Sequence, residues 1–165
     1  MSAVRERGVG LIEILVTVVI LSLGFLAAAR MQMEGVRFSR SAYHHSQAFF
    51  LASEMADRMR ANPDGVRAGA YDGATTSAAA ADPVCDACTP TELARRDVFQ
   101  WSAALHPELI GADVVAALPE DDQGGPLGEI LFDGPDRYRI RMSWPETVGR
   151  DRTVETLTTV LRVER

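Results

Sequence analysis

The sequence predicts an α+β fold, with one long N-terminal helix packed on a small antiparallel β-sheet. Three observations indicate this class. No proline interrupts the chain before Pro63, and apolar residues recur at helical spacing up to that point. Helix-start signals return near Thr89, and the last third alternates polar and apolar residues with many β-branched side chains. For 165 residues we expect one compact domain plus an anchor.

The N-terminal apolar segment has the length of a membrane span. Residues 9–29 would form a helix of about 31 Å, close to the thickness of the hydrocarbon core. Arg5 and Arg7 precede this segment, which predicts a cytoplasmic N-terminus and an exported remainder. A cleaved secretory signal is the competing interpretation, with the alanines at 27–29 as its cleavage site. Its apolar stretch would be only about 7–15 residues long, so the length favours a retained anchor.

Glu13 is the only charged residue in this apolar segment. A carboxylate inside a membrane helix costs about 2.5–3.5 kcal/mol on insertion scales, and residues kept at such a cost are usually functional. An opposite charge in the bilayer or in a filament core would recover much of that cost. Alternatively, Glu13 reaches the membrane interface and interacts with the helix dipole. The two interpretations are compatible.

The residues around Glu13 resemble the class III signal of type IV prepilins. The stretch reads Gly8-Val9-Gly10-Leu11-Ile12-Glu13. In that family a prepilin peptidase cuts after the glycine and the new N-terminus is methylated. The resemblance implies that Gly8 ends a leader peptide of residues 1–8, that Val9 is cleaved from it and N-methylated, and that Glu13 pairs with the terminal amine of a neighbouring subunit. Val9 departs from the phenylalanine that is usual there.

The helix is expected to continue beyond the anchor. Residues 30–62 form its amphipathic continuation, and the turn signal NPDG at 62–65 ends it. The predicted buried stripe alternates spacings of four and three residues. It consists of Phe38, Ala42, His45, Phe49, Ala52, Ala56 and Met59. The rest of the chain, residues 63–165, is the predicted globular head.

A second helix is expected to begin at Thr89. Thr89 as the cap, Pro90 as the first residue and Glu92 at the third position form a capping box. Its predicted buried stripe is Ala94, Val98, Trp101 and Leu105, and His106-Pro107 ends it. The preceding threonine-, serine- and alanine-rich stretch at 75–81 is predicted to be a mobile loop.

The last third is expected to be β. Short strands are proposed at 113–117 and 129–133, and a clearly alternating one at 137–144. The residues predicted to face inward in that strand are Tyr138, Ile140, Met142 and Trp144, and those facing outward are Arg137, Arg139, Arg141 and Ser143. Residues 153–163 are rich in β-branched side chains and would pair with that strand in antiparallel fashion.

The arginine-bearing face could serve as an anion or DNA site, but a solvated sheet face is the favoured interpretation. The chain carries 23 acidic against 17 basic residues, for a net charge of −6. An acidic exported domain does not favour general nucleic-acid binding through phosphate neutralisation, so no nucleic-acid partner is expected.

Cys85 and Cys88 are the two cysteines of the chain. Two cysteines alone cannot complete a tetrahedral zinc site, so no metal is expected. Export to an oxidising compartment favours a structural disulfide. A redox-active pair and reduced or intermolecular thiols remain alternatives. No catalytic constellation is recognisable around His44, His45 or His106, so neither enzymatic activity nor a cofactor is expected.

A second resemblance concerns the head. The segment from Cys88 through Leu93 to Trp101, and the helix end at 46–63, are similar to the type IV pilus modification protein PilV family of minor pilins. The resemblance implies a pilin-like fold and a minor pilin that joins a priming or tip complex and promotes pilus assembly. Its expected partners are other minor pilins, the major pilin, prepilin peptidase and the bacterial inner membrane, with the head in the periplasm before assembly. Alternatives are a type II secretion pseudopilin, a tip adhesin or DNA-uptake subunit, and a membrane-tethered thiol oxidoreductase.

Overall fold

The fold is an α+β arrangement of a long N-terminal helix and a three-stranded antiparallel sheet, as predicted. The structure is a computed structural model that describes residues 10–78, 84–111, 115–134, 136–148 and 151–163. The helices are α1 (Leu11–Ala61), α2 (Pro63–Arg67) and α3 (Pro90–Leu105), and the strands are β1 (Leu127–Phe132), β2 (Arg137–Val148) and β3 (Asp151–Arg162). Short 3₁₀ turns occur at Thr76–Ala78 and Pro107–Ile110.

The chain divides into two compact units, Met1–Arg40 and Ser41–Arg165. In the first, the described residues form helix from Leu11 onward, and their large apolar side chains are exposed. The second contains the hydrophobic core, which extends in sequence from Ala48 to Leu161. The last turns of α1 therefore contribute side chains to the core of this second unit.

The face of α1 that is buried in the core differs from the predicted stripe. The buried residues are Ala48, Leu51, Ala52, Met55, Ala56 and Met59. The prediction was right for Ala52, Ala56 and Met59. It was wrong for Phe38, Ala42, His45 and Phe49, which are exposed. Apolar residues surround this part of the helix, so spacing alone does not identify the face that meets the core.

Helix α3 begins and packs as predicted. The Thr89 hydroxyl accepts a hydrogen bond from the Glu92 N–H (3.3 Å), and the Glu92 carboxylate accepts one from the Thr89 N–H (2.8 Å). These reciprocal bonds make the capping box. The residues buried in the core include the whole predicted stripe of Ala94, Val98, Trp101 and Leu105. The helix ends before His106, where Pro107 starts a 3₁₀ turn.

The sheet has the order β1-β2-β3 with antiparallel pairing throughout. The strand expected at 129–133 corresponds to β1, which begins two residues earlier. The strand expected at 113–117 is not found: residues 113–114 lie outside the described residues, and 115–117 form no strand. The inward row of β2 is confirmed, because Tyr138, Ile140, Met142 and Trp144 are all buried.

β2 continues beyond its predicted end at Trp144, through Pro145 to Val148. The Arg137 carbonyl accepts a bond from the Asp133 N–H on the β1 side, so the odd-numbered residues of β2 direct their backbone groups toward β1. Pro145 is odd-numbered, so its backbone nitrogen faces the β1 side, where the pairing with β1 has already ended at Ser143. The missing N–H of Pro145 therefore removes no hydrogen bond from the ladder with β3.

Trp101 of α3 packs directly on β1 at Gly128. A Cβ built on Gly128 would lie 2.5–2.8 Å from three carbons of the indole ring. Only glycine leaves room for this contact, because real Cβ atoms do not approach so closely. Gly128 therefore fixes how close α3 lies to the sheet.

Candidate functional site

Glu13, the predicted assembly residue, lies in the first turn of α1 and is exposed. Its backbone N–H donates to the Gly10 carbonyl (2.9 Å). Among the ion pairs formed by the described residues, none involves the Glu13 carboxylate. A negative charge at this position interacts favourably with the positive end of the helix dipole. The predicted cleavage residues Gly8 and Val9 lie outside the described residues.

The helix around Glu13 presents an apolar surface on all sides. Its large side chains between Leu11 and Leu26 are each at least half exposed. By length and composition, α1 contains a segment able to cross a membrane. The hydroxyls of Thr17 and Ser22 donate to backbone carbonyls of the preceding turn, Glu13 (2.9 Å) and Val18 (2.7 Å). These polar groups therefore have partners within the helix, as an apolar environment requires.

A second cluster of polar side chains connects α1 to α3 in the head. The Arg58 guanidinium donates to Asp97 Oδ1 (3.2 Å) and to Glu54 Oε1 (2.7 Å). The Tyr71 hydroxyl donates to the other oxygen of Asp97 (2.6 Å). Both Asp97 and Tyr71 are buried. Asp97 thus accepts a charged and a neutral donor, which offsets the cost of burying its charge.

Asn62 extends this cluster to the starts of α2 and α3. Its amide nitrogen donates to the Pro90 carbonyl (2.8 Å) and to the Tyr71 hydroxyl (3.1 Å), and its amide oxygen accepts from the Gly65 N–H (3.1 Å). A Cβ on Gly65 would lie 2.8 Å from the Pro90 carbonyl oxygen, so this turn requires a glycine. The NPDG signal at 62–65 therefore both ends α1 and joins it to α3.

The surroundings fix the protonation states in this cluster. Burial raises the pKa of the Tyr71 hydroxyl well above its usual value, and its bond to Asp97 raises it further. Burial on its own lowers the pKa of Arg58, but the hydrogen bonds to Glu54 and Asp97 outweigh that effect, so its pKa is raised. Arg58 is therefore charged and Tyr71 neutral at physiological pH. The cluster of Glu54, Arg58, Asn62, Tyr71 and Asp97, called the clamp below, thus keeps one hydrogen-bonded arrangement between α1 and α3.

Cys85 and Cys88 form a disulfide with a Cα–Cα distance of 5.3 Å. The bridge lies immediately before Thr89, the cap of α3. It closes a loop of very few residues, so its entropic effect on the unfolded chain is small. What it constrains is the entry of the chain into α3.

His45 and His106 lie beside different acidic residues. His45 Nε2 lies 4.0 Å from a Glu155 carboxylate oxygen, and its ring contacts Trp144 edge-on at 4.9 Å. His106 Nδ1 lies 3.4 Å from a Glu108 oxygen in a separate turn. The described part of the chain contains no group of three or more His, Cys, Asp or Glu side chains placed to hold a metal ion.

The clamp is the feature that sequence reasoning missed, although a signal was present. Asp97 falls within the apolar spacing of α3, between Ala94 and Trp101. A carboxylate on a buried helix face requires a donor, which indicates a partner elsewhere in the chain. No sequence pattern identified that partner as Arg58, because the two residues lie 39 positions apart.

Residues 30–99 match a protein-family model, Tt1218-like, described as type IV pilin Tt1218. The match supports a type IV pilin family. The matched residues include both cysteines and all the clamp side chains, namely Glu54, Arg58, Asn62, Tyr71 and Asp97. It does not distinguish the PilV family among the pilins. Comparisons with curated proteins and with solved structures found no match.

The pilin match gives the long helix and small sheet a family context. A long N-terminal helix followed by a small antiparallel sheet is a pilin-like arrangement. A segment similar to the type IV pilin model, which begins within the same helix as the apolar stretch, fits membrane anchoring and association with other pilus subunits. Pilins are structural proteins rather than enzymes, and the match supports a role of that kind.

Proposed function

We propose that this chain is a minor pilin of the type IV pilus. Prepilin peptidase removes residues 1–8 by cutting after Gly8, and Val9 becomes the methylated N-terminus. The subunit waits in the inner membrane with its head in the periplasm. It then enters a priming or tip complex, with other minor pilins and the major pilin, and promotes pilus assembly.

One observation carries this proposal: the pilin match at residues 30–99 directly continues an apolar helix that has a carboxylate in its first turn. The apolar surface from Leu11 to Leu26 has no covering within the described residues. Lipid covers such a surface before assembly, and neighbouring helices cover it in a filament. The same helix can therefore serve as an anchor and later as a packing element.

Glu13 supplies the specificity of that packing. In a filament core its carboxylate would be costly to bury unless it met an opposite charge. The α-amino group of a neighbouring Val9 supplies one. A helix stacked in the wrong axial register would leave both charges unpaired, so the pair favours a single register.

Mass spectrometry of the protein purified from its native cell tests this proposal. We expect a mature N-terminal peptide that begins at N-methylated Val9. An intact Met1, or a cut after Ala29, would contradict prepilin processing. Deleting the gene should also reduce the number of surface pili, and full piliation in the deletion strain would argue against a role in priming.

A further inference from the structure

Three arginines follow the apolar segment of α1 at short intervals. Arg30 comes directly after the predicted membrane span, and Arg37 and Arg40 follow it in the same helix. Residues 30–40 contain one acid, Glu34, so three arginines minus one glutamate leave a net charge of +2, although the whole chain carries −6. Positive charges usually concentrate on the cytoplasmic side of a membrane helix. Under the proposed topology these arginines lie on the opposite side, which points to an anionic partner there.

The chain itself supplies little of the opposite charge. All three arginines are exposed. In the parts of the chain that the structure describes, neither Arg30 nor Arg40 forms an ion pair. Arg37 lies 3.9 Å from a carboxylate oxygen of Glu34, and the two side chains are 62% and 79% exposed. A pair as exposed as this is weak, because water and salt screen it. The guanidinium groups are therefore available to another anion.

Arg30 and Arg37 lie on one face of α1, near the depth of the phospholipid headgroups. Seven residues make almost two turns of an α-helix, so the two side chains leave the helix in nearly the same direction, about 10 Å apart along the axis. The headgroup layer adds about 5–8 Å to each side of the hydrocarbon core. Arg30 lies at the inner border of that layer. Arg37 lies about 12 Å beyond the span, but helix side chains tilt toward the N-terminus, which directs its guanidinium back toward the headgroups.

Arg40 differs from these two arginines in depth and in direction. It lies about 15 Å beyond Arg30 along the axis, and its side chain leaves the helix about 80° away from that of Arg30. Its guanidinium group therefore lies outside the headgroup layer. Arg40 thus offers a comparison with the same residue type on the same helix.

We propose that Arg30 and Arg37 bind the phosphate of an anionic phospholipid in the exported-side leaflet while the chain is anchored in the membrane. A guanidinium group can donate two parallel hydrogen bonds to phosphate oxygens, and charged bonds of this kind are stronger than neutral ones. Lipid tails cover the apolar surface before Arg30, so the headgroup continues an interface that the same helix already requires. Basic residues beside a membrane span attract anionic lipids. The inference rests on the membrane-anchored stage of the proposed function and adds the lipid class to it.

A phospholipid bound at this position fixes the depth of α1 in the membrane. Moving the helix inward would bury the two charged groups in hydrocarbon, and moving it outward would expose apolar side chains to water. The subunit must also release this lipid when it leaves the membrane for a filament, so lipid binding favours the anchored state.

Native mass spectrometry of the full-length protein released from lipid nanodiscs tests the proposal. The nanodiscs contain equal parts of phosphatidylglycerol, which is anionic, and phosphatidylcholine, which is zwitterionic. We expect the wild type to retain phosphatidylglycerol at least tenfold more often than phosphatidylcholine. The double variant Arg30→Gln/Arg37→Gln should lose that preference. Arg40→Gln removes one charge from the same helix outside the headgroup layer, so it is the matched control and should behave like the wild type.

Equal retention of the two lipids by the wild type would overturn the proposal, and so would an unchanged preference in the double variant. If that variant kept its lipid but was missing from sheared pili, the arginines would face an acidic neighbouring subunit instead. A loss of preference in Arg40→Gln as complete as in the double variant would indicate a general effect of net charge and also contradict the site. A chain that did not enter the nanodiscs would contradict the membrane anchor as well, whereas an inserted chain without lipid preference contradicts the lipid site alone.

Discussion

At the scale of single residues, Asp97 and Tyr71 show how the head tolerates buried polar groups. The Tyr71 hydroxyl donates to Asp97 and accepts from Asn62, so both of its hydrogen-bonding roles are filled. Asp97 accepts from Tyr71 and from Arg58 on its two oxygens. Because each group is a hydrogen-bond partner of the other, removing one leaves an unpaired polar atom in the core.

The Tyr71 hydroxyl makes the stability of the head sensitive to alkaline pH. Its pKa in the folded protein is raised above the unfolded value of about 10. The neutral phenol therefore stabilises the fold fully below about pH 10, and this contribution is lost as the pH rises further. Tyr71→Phe should lower the free energy of unfolding by about 1–2 kcal/mol at pH 7 but reduce its decline above pH 10.

Urea denaturation at several pH values between 7 and 11 measures both effects. Tyr43→Phe is the matched control, because Tyr43 is 58% exposed and lies outside the clamp. This control should leave both the stability and its pH dependence unchanged. A Tyr71→Phe curve parallel to the wild type above pH 10 would contradict the assignment.

Glu13 belongs to the same scale, and under the proposed function it acts between chains. Glu13→Gln preserves the shape of the side chain and removes the charge that the proposed amine pair requires. We expect the precursor to insert normally, while the amount incorporated into sheared pili falls at least tenfold. Immunoblots of membrane and pilus fractions measure both quantities.

Glu34→Gln is the control for that experiment. Glu34 is an exposed acid on the same helix, and its ion pair with Arg37 is long (3.9 Å) and solvated. It should assemble like the wild type. Normal incorporation of the Glu13→Gln subunit would count against the pairing of charges.

At the scale of elements, the predictable features were those with local signals. The capping box of α3 requires only residues 89–92, and the alternation in β2 is visible within eight residues. The strand ends were less accessible to sequence reasoning. Whether β2 could continue through Pro145 depended on where β1 stopped, which is a non-local fact. The choice of buried face on α1 was likewise decided by the sheet and α3.

The residues of the candidate site likewise separate into those with a local sequence signal and those set by distant contacts. Glu13 was identified because a charge in an apolar run is a local anomaly. The Arg58–Asp97 pair was not identified, because long-range pairing leaves no mark in spacing. The covering of the outer edge of β1 by residues 73–75 was also inaccessible, because these residues lie far from β1 in the sequence.

The packing of α3 on the sheet at Gly128 gives an element-scale prediction. Gly128→Ala places a methyl group 2.5–2.8 Å from the Trp101 ring, so the helix or the strand must shift. We expect a loss of about 1–3 kcal/mol in the free energy of unfolding. Chemical denaturation followed by tryptophan fluorescence measures it.

Gly35→Ala is the matched control, because a Cβ at Gly35 meets no atom within 4 Å and lies in the middle of α1. It should be neutral or slightly stabilising, since alanine favours helix. If Gly128→Ala unfolded at the same denaturant concentration as the wild type, the contact with Trp101 would not limit the packing.

At the scale of the whole molecule, buried and exposed apolar side chains occupy different parts of the sequence. Each buried apolar side chain among the described residues belongs to the range 48–161. The described residues before Ser41 contribute none of them, and their apolar side chains remain exposed. Folding of the head should therefore not require the first forty residues, whereas solubility without detergent should require their removal.

Truncation tests this separation. A chain of residues 41–165 keeps the whole buried face of α1, so we expect it to be soluble without detergent and to unfold cooperatively. Its melting temperature should lie within a few degrees of the head transition of the full chain in micelles. A chain of residues 53–165 is the control: it lacks Ala48, Leu51 and Ala52, which leaves a gap in the core, and burial losses of this size cost several kcal/mol. It should therefore melt at least 10 °C lower, or fail to fold, because such a loss is a large fraction of a domain's stability. Near-ultraviolet circular dichroism and calorimetry distinguish the two chains. If residues 41–165 gave no cooperative transition while the full chain did, the N-terminal unit would contribute to folding as well as to anchoring.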